Sequence, residues 1–382
     1  MSKRFDELFG EIVTILRRDY AGADLVGERL DPRYYNQSIG QAWHDDKLDE
    51  LLFLRHVSQM LACTGDRHLH LELQPSEHYT PWSPGFFTRR YENALYVTAV
   101  TDEDRLVPGD RITAVNGGTP AAHRANIQKN FFYADTPERE DWHGMLKMAD
   151  SIDVERSDGS RERLALARHP RRSPKAAPQV YDAKGGVILD LRNAADIPDG
   201  LFRELLSLVC RRDTPLRELA DGDVYVNYTR FNCLVKAAGL ESVEGAEGYL
   251  RELREKAGKG LLFEPDEDDT ILPGHAGGAA VVLTDTWTRD GAEALSLAAK
   301  RAGAYLIGRP TLGTIDLCGD VHYALDERYV LTWPTAIAKA ASEGRGVFGR
   351  GVAPDRYIPW TPEECRRDLL LDAAIEYIAA KT

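Results

Sequence analysis

The segment TDTWTRDGAEAL, Thr284–Leu295, offers Thr286, Thr288 and Asp290 as candidate side chains to attack a substrate or move a proton. It lies between the apolar run GGAAVVL and a helical pattern, and a loop joining a buried strand to a helix is where many α/β enzymes keep a nucleophile. A threonine hydroxyl needs an adjacent base and an orienting group. Asp290 has a simpler expectation: in DGAE at a helix start it caps the helix, with Glu293 closing the box, a contribution of ~1 kcal/mol. A carboxylate at a helix N-terminus is stabilised as the anion and is a weak nucleophile. The second cluster is TGDRHLHLELQP, in which Asp66, His68, His70 and Glu72 alternate with Leu69, Leu71 and Leu73. Period-two alternation reads as a strand with one polar face. His68 is the candidate base. His-x-His beside Asp66 or Glu72 offers nitrogen and oxygen ligands, but the spacing has low specificity without a distal ligand, so no metal and no cofactor is expected. His70, Trp287 and Arg230 are candidate ligand contacts; Arg230, in NYTRFN, is read as an exposed strand arginine able to clamp an anion.

The elements that must hold these residues follow from periodicity. Phe5, Leu8, Phe9, Ile12 and Leu16 recur at helical spacing, as do Leu48, Leu51, Leu52, Val57, Met60 and Leu61, which predicts a helical region ending near residue 64. From Phe86 to about His169 the pattern is short strands and turns, including a hairpin around Asp158-Gly159. Beyond it, GGVILDLRN, DGDVYVNYTRFN, GGAAVVLTDT and AYLIG read as strands and alternate with helical segments, which argues for a parallel or mixed sheet with crossovers. In TPEECRRDLLLDAAIEYIAAK, Thr361 is expected to cap a helix, with Pro362 in its first turn and Glu364 completing the box.

The chain has 382 residues, long enough for two or three domains, with 43% hydrophobic and 29% charged residues. A formal charge of −13 argues against nucleic acid or anionic membrane as the main partner, and the basic stretch Arg168–Lys175 is short enough to be a linker. Residues 1–20 carry charges throughout, unlike a secretory signal, and no apolar run is long enough to span a bilayer. Five scattered cysteines without a CxxC pair suggest neither zinc nor a disulfide framework. The expectation is a cytoplasmic, reduced protein; a peptide or small-molecule ligand and self-association are its expected partners.

Taken in order, the segments TGDRHLHLEL, LVPGDRITAVNG, GGVILDLRNAAD, AAVVLTDTWTRDGAEAL with AGAYLIGRPTLGT, and GRGVAPDRYIPWTPEE resemble the carboxy-terminal-processing (tail-specific) serine peptidase family, in its tricorn-core and retinoid-binding-like branch. The resemblance implies a Clp-protease/crotonase-like α/β core of mixed sheet and crossover helices, plus a helical N-terminal region and a PDZ-like inserted domain. The implied boundaries are 1–77, 78–170 and 171–382. It places Asp290 at the position of the family's serine and Thr314 about where the lysine base would stand. His68 matches the histidine of the histidine-dependent branch, whose glutamate would fall near Phe348, where no carboxylate is present. NAADIPDG replaces the Gly-rich run that helps form an oxyanion pocket. LVPGDRITAVNG is the implied peptide-carboxylate site, with Gly109 in its turn and Arg105 and Arg111 nearby.

Three functions are compatible with these residues. The first is a peptidase-like protein without the usual nucleophile and base that binds a peptide or small ligand. The second is an enzyme of another type using His68 and Asp290 as acid and base on a non-peptide substrate. The third is an active peptidase with a threonine nucleophile, Thr288 or Thr286.

Overall fold

The computed structural model describes residues 3–76, 79–126, 136–170, 176–240, 242–266, 269–274 and 278–381. The expected boundary at 77/78, residue 171 of the boundary at 170/171 and the end of the basic stretch at Lys175 lie outside the described residues. In chain order the longer helices are α1 (Phe5–Arg18), α2 (Arg33–His44), α3 (Glu50–Cys63), α4 (Asp199–Ser207), α5 (Arg230–Ala238), α6 (Glu247–Lys256), α7 (Asp290–Arg301) and α8 (Leu369–Lys381). The longer strands are β1 (His70–Leu73), β2 (Phe86–Tyr91), β3 (Ala94–Val100), β4 (Arg111–Val115), β5 (Ser151–Glu155), β6 (Arg161–Ala165), β7 (Gln179–Ala183), β8 (Gly186–Asp190), β9 (Val224–Tyr228), β10 (Gly260–Glu264), β11 (Ala279–Thr284), β12 (Tyr305–Gly308), β13 (Leu317–Ala324) and β14 (Tyr329–Ala338). By their contacts the residues fall into two units.

The first unit comprises Met1–Tyr79, Pro215–Asp269 and Gly313–Gly349. Leu8, Phe9, Ile12, Ile15 and Leu16 form one buried stripe of α1, and Phe53, Val57, Met60 and Leu61 another on α3. Both stripes join a core with Leu71 and Leu73 of β1 and Tyr329, Leu331 and Trp333 of β14. Asp49 starts α3 by accepting the Leu52 amide at 2.7 Å, a side-chain cap that satisfies one of the free amides of the first turn. Leu51 projects to solvent and Phe53 takes its place in the stripe. The long strand β14 organises the sheet: β13 runs antiparallel along one side, β1 and β9 share the other, and β10 lies beyond β9 at the edge.

The second unit comprises Thr80–Thr214, Thr270–Leu312 and Arg350–Thr382. Its mixed sheet has the order Arg356–Tyr357, β12, β11, β8, β7, parallel except for the antiparallel edge β7. The inner strands read as continuous apolar runs because both faces are covered. Ile188, Val281, Leu283 and Ile307 meet Leu370, Ala373, Ala374 and Ile378 of α8. Leu189, Val282 and Leu306, of the opposite parity, are equally buried, and α7 packs against β11 and β12. This is the expected mixed α/β architecture with crossover helices. A separate antiparallel sheet, β2-β3-β4-β5-β6, carries its own core around Phe86, Leu95, Val97, Ile112, Trp142, Ile152 and Val154.

Four local expectations change. The strand in the histidine segment begins only at His70, so Asp66 and His68 precede it, and Asp66 is buried instead of lying on a polar strand face. Arg230 is the first residue of α5, not a strand residue, because the Thr229 hydroxyl caps that helix through the Asn232 amide at 3.1 Å. Thr361 makes no side-chain cap, and Pro362–Cys365 is only a 3-10 turn. The Glu364 carboxylate that should close the box instead receives Arg309, at 2.7 and 3.1 Å, and α8 starts at Leu369.

Candidate functional site

In the second unit, β11 runs through Thr284 into a loop whose polar groups are turned inward. Asp285 is fully buried and accepts Arg89 Nη2 at 2.5 Å, the Asn193 amide at 3.1 Å and the Trp287 amide at 2.9 Å. Burial pushes its carboxyl up, but the Arg89 and Arg309 cations and those two amides outweigh it and hold the group below the usual carboxylate range. Thr286 accepts the second Arg89 amine at 3.1 Å. The Thr288 hydroxyl donates to the Leu191 carbonyl at 2.9 Å and accepts the Asp285 amide at 3.0 Å. Both threonines are fully buried, so their hydroxyls serve the loop and are not presented to a substrate.

Asp290 follows directly. It is the first residue of α7, and its φ of +51° lies in the left-handed region. The cap residue is Arg289, with extended backbone, and its guanidinium lies 3.5 Å from the Asp290 carboxylate. The cap position therefore falls on Arg289 and not, as expected, on Asp290, and the fully buried Glu293 accepts the Thr311 hydroxyl. The physical reason is the turn itself, which makes Asp290 the first helical residue in place of the cap. A left-handed residue between a strand and a helix is the geometry that lifts a nucleophile out of an α/β sheet. Strain at such a residue gives a test. Asp290→Gly is expected to leave the unfolding midpoint unchanged or raise it, whereas Asp290→Val lowers stability by ~1–3 kcal/mol. Equal urea midpoints for the two variants would remove the argument.

The segment Leu191–Ile197 closes over the helix start. A Cβ on Gly291 would come within 2.8 Å of the Ile197 nitrogen, so only glycine permits that approach. The Asn193 amide is taken by Asp285 and the Ala194 amide by the Leu191 carbonyl at 3.1 Å. The Ala194 and Ala195 carbonyls accept the Arg289 and Ala292 amides. The donors that a Gly-rich run would aim at an oxyanion are here spent inside the fold.

In the first unit, His68 Nδ1 lies 2.9 Å from Asp320 Oδ2, and Nε2 lies 3.1 Å from the Thr314 carbonyl. Both partners are acceptors, so only an imidazole carrying both protons satisfies them together. A ring in that doubly protonated form has no free nitrogen lone pair and acts as a base only after it has given one proton up. Asp66 anchors the segment from below: it accepts the His68 amide at 2.8 Å and the Tyr20 hydroxyl at 2.8 Å. Burial pushes its carboxyl up, opposed by His68 and these donors. Asp320 stands opposite Pro334 on β14.

The remaining candidates are more scattered. His70 turns Nδ1 to the His68 carbonyl at 3.1 Å. Trp287 is half-buried in the loop of the second unit. Arg230 is exposed. Gly109 adopts a φ of +97° and gives its amide to the Val97 carbonyl at 2.8 Å. Arg105 is held by Glu103 and Arg111 by Glu155. His68, His70, Arg230 and Thr314 belong to the first unit; Gly109, Thr286, Trp287, Thr288 and Asp290 belong to the second. Sequence reasoning missed Asp320, Tyr20 and Arg89. Asp320 is 252 positions from His68, and only the antiparallel register of β13 on β14 sets it opposite Pro334. Arg89 is 196 positions from Asp285.

No protein-family profile and no curated protein matches the sequence. Among solved structures, mature CPAF complexed with lactacystin is similar at 13% identity, covering 98% of this chain and 97% of that one, with a TM-score of 0.61. A CPAF mutant is similar at 12% identity over 98% and 97%, with a TM-score of 0.62. The photosystem II D1 C-terminal processing protease covers 99% and 98% at 13% identity, with a TM-score of 0.43. At these identities the CPAF likeness is one of fold: the chain has a peptidase-type fold with a Clp-like α/β core.

Proposed function

We propose that this chain is a tail-specific-peptidase-like protein that binds a peptide or small ligand and does not cleave peptide bonds through a serine or threonine acyl-enzyme. The observation that carries this reading is the turn between β11 and α7, where Asp290 occupies the left-handed position and both neighbouring threonine hydroxyls are engaged. A carboxylate there cannot form the ester that a hydroxyl would, and the nearby amides of Asn193 and Ala194 already have acceptors. Thr314, about where the lysine base would stand, supplies His68 with a carbonyl and no amine. In this reading 78–170 is a PDZ-like insert between a helical region, 1–77, and a crotonase-like core, 171–382, and the protein works in the cytoplasm. The β2–β6 sheet, with Gly109 in a turn, supports the insert assignment.

The His68–Asp320 pair favours a second reading. A histidine oriented by a carboxylate is the arrangement hydrolytic enzymes use to position a base. It supports an enzyme acting on a non-peptide substrate, with His68 as its base.

Incubation with a mixed peptide library for hours, followed by mass spectrometry, separates the readings. The expected result is no time-dependent cleavage by the wild type or by His68→Ala. Cleavage by the wild type that disappears in His68→Ala would overturn the binding reading. A ligand found by thermal-shift screening is expected to bind His68→Ala with nearly unchanged affinity; loss of binding together with turnover in the wild type would favour the second reading.

A further inference from the structure

Among the described residues, strand β10, Gly-Leu-Leu-Phe-Glu at 260–264, is paired on one side only, with β9, and ends the sheet of the first unit. Leu262 packs inward beside Tyr228 and Leu253. Leu261 and Phe263 are 52% and 44% exposed. The Phe263 ring is held against Tyr225, 5.6 Å between centroids, with Lys339 5.1 Å from it, so the apolar surface is fixed in place. An edge of this kind offers unpaired backbone donors and acceptors, and chains normally guard it with lysine, proline or a bulge. Here the first four residues, Gly260–Phe263, carry no charge and no proline, Glu264 and Pro265 stand only at the end of the strand, and the β9–β10 register is regular throughout.

The flanks of the strand are of opposite sign. Arg254, Lys256 and Lys259, with Glu255 among them, precede it and leave that flank net basic; Glu264, Asp266 and Asp269 end or follow it. Lys256 already pairs with Glu252 and Glu264, whereas Arg254 and Lys259 have no carboxylate partner among the described residues. We propose that β10 is the interface of a homodimer, in which two copies pair antiparallel about a two-fold axis at Leu262. That register sets Leu261 of one copy opposite Phe263 of the other, twice. It brings the basic end of each strand, at Lys259, beside the acidic end of the other, at Glu264 and Asp266. Parallel pairing would set like charges together. The partner that fits this edge on charge as well as shape is therefore a second copy of the chain, joined by an isologous contact. The proposal stands independently of the catalytic reading.

Size-exclusion chromatography with light scattering on the full chain, at tens of micromolar, tests it. The wild type is expected to show twice the mass of one chain, and Leu261→Lys/Phe263→Thr the mass of one chain with unchanged circular dichroism. Lys259→Glu and Asp266→Lys each place two like-charge contacts in the dimer, so each is expected to self-associate about tenfold more weakly. Mixed together, the two variants regain opposite charges at both contacts and dimerise as the wild type does. A monomeric wild type would overturn the proposal. So would a dimer that survives the double substitution at Leu261 and Phe263, or charge variants whose mixture stays as weak as each alone.

Discussion

Replacing Arg89 with methionine is expected to cost about 3–5 kcal/mol of folding stability at neutral pH, because it leaves the Asp285 carboxylate charged and buried without its main partner. Methionine keeps much of the volume and the apolar stem, so the loss reads as charge and not as cavity. The pH dependence identifies the mechanism. In the wild type Asp285 is held below its ordinary value, so its contribution is complete above the unfolded-state pKa and fades only as pH falls through the lower folded value. In the variant, burial is no longer outweighed and the folded value rises. The penalty is then full at pH 7 and shrinks as acid protonates Asp285. Urea unfolding of both proteins at pH 7 and pH 4.5 should show a wide gap that narrows in acid. A constant gap, or a loss below about 1 kcal/mol at pH 7, would mean that Arg309 and the two amides suffice without Arg89. Since Arg89 also donates to Thr286, the same variant loosens the loop that leads to Asp290.

Trp333→Ala is the second large effect, expected at about 3–5 kcal/mol. The indole is fully buried in β14, stacks on Phe231 at 6.0 Å and 3°, and gives its N–H to Asn232 Oδ1 at 3.0 Å. Asn232 spends its amide hydrogens on the carbonyls of Asp19 and Asn227, at 2.8 and 2.9 Å, so its oxygen has no reason to turn elsewhere. Trp333→Phe keeps the ring stack but orphans that oxygen, at an expected cost of about 1–3 kcal/mol. The ranking alanine worse than phenylalanine worse than wild type, measured by denaturant midpoints, is the expected outcome. A phenylalanine variant as stable as wild type would show that the hydrogen bond contributes nothing. Trp333 faces Val321 one position from the Asp320–Pro334 pair, so the alanine variant should also loosen the carboxylate that orients His68.

The sequence carried the elements whose signal is local. The stripes of α1 and α3, the Asp158-Gly159 hairpin and the apolar runs of β8, β11 and β12 are visible because burial imposes a period on neighbouring residues. The order of these segments was enough to suggest the fold type later seen in the CPAF likeness. Local reasoning failed where a side chain had a better offer from far away. Glu364 fits a capping box on spacing alone, yet Arg309 takes it. Arg230 follows a strand pattern, but Thr229 starts a helix there. Asp290 reads as a cap in DGAE, while the turn from β11 gives it a left-handed backbone that no spacing rule encodes.

The candidate site divides the same way. By itself the sequence determined which residues were available: His68, Asp290 and the threonines, in place of a serine and a lysine, are matters of residue type. Only the tertiary structure decided what each is free to do. Sheet register sets Asp320 opposite Pro334, where it meets His68, a buried arginine from β2 binds Asp285 and Thr286, and the Leu191 carbonyl takes the Thr288 hydroxyl. Hydrogen bonds and ion pairs act over a few ångströms, and sequence separations of 196 and 252 residues carry no trace of which partners folding brings into that range.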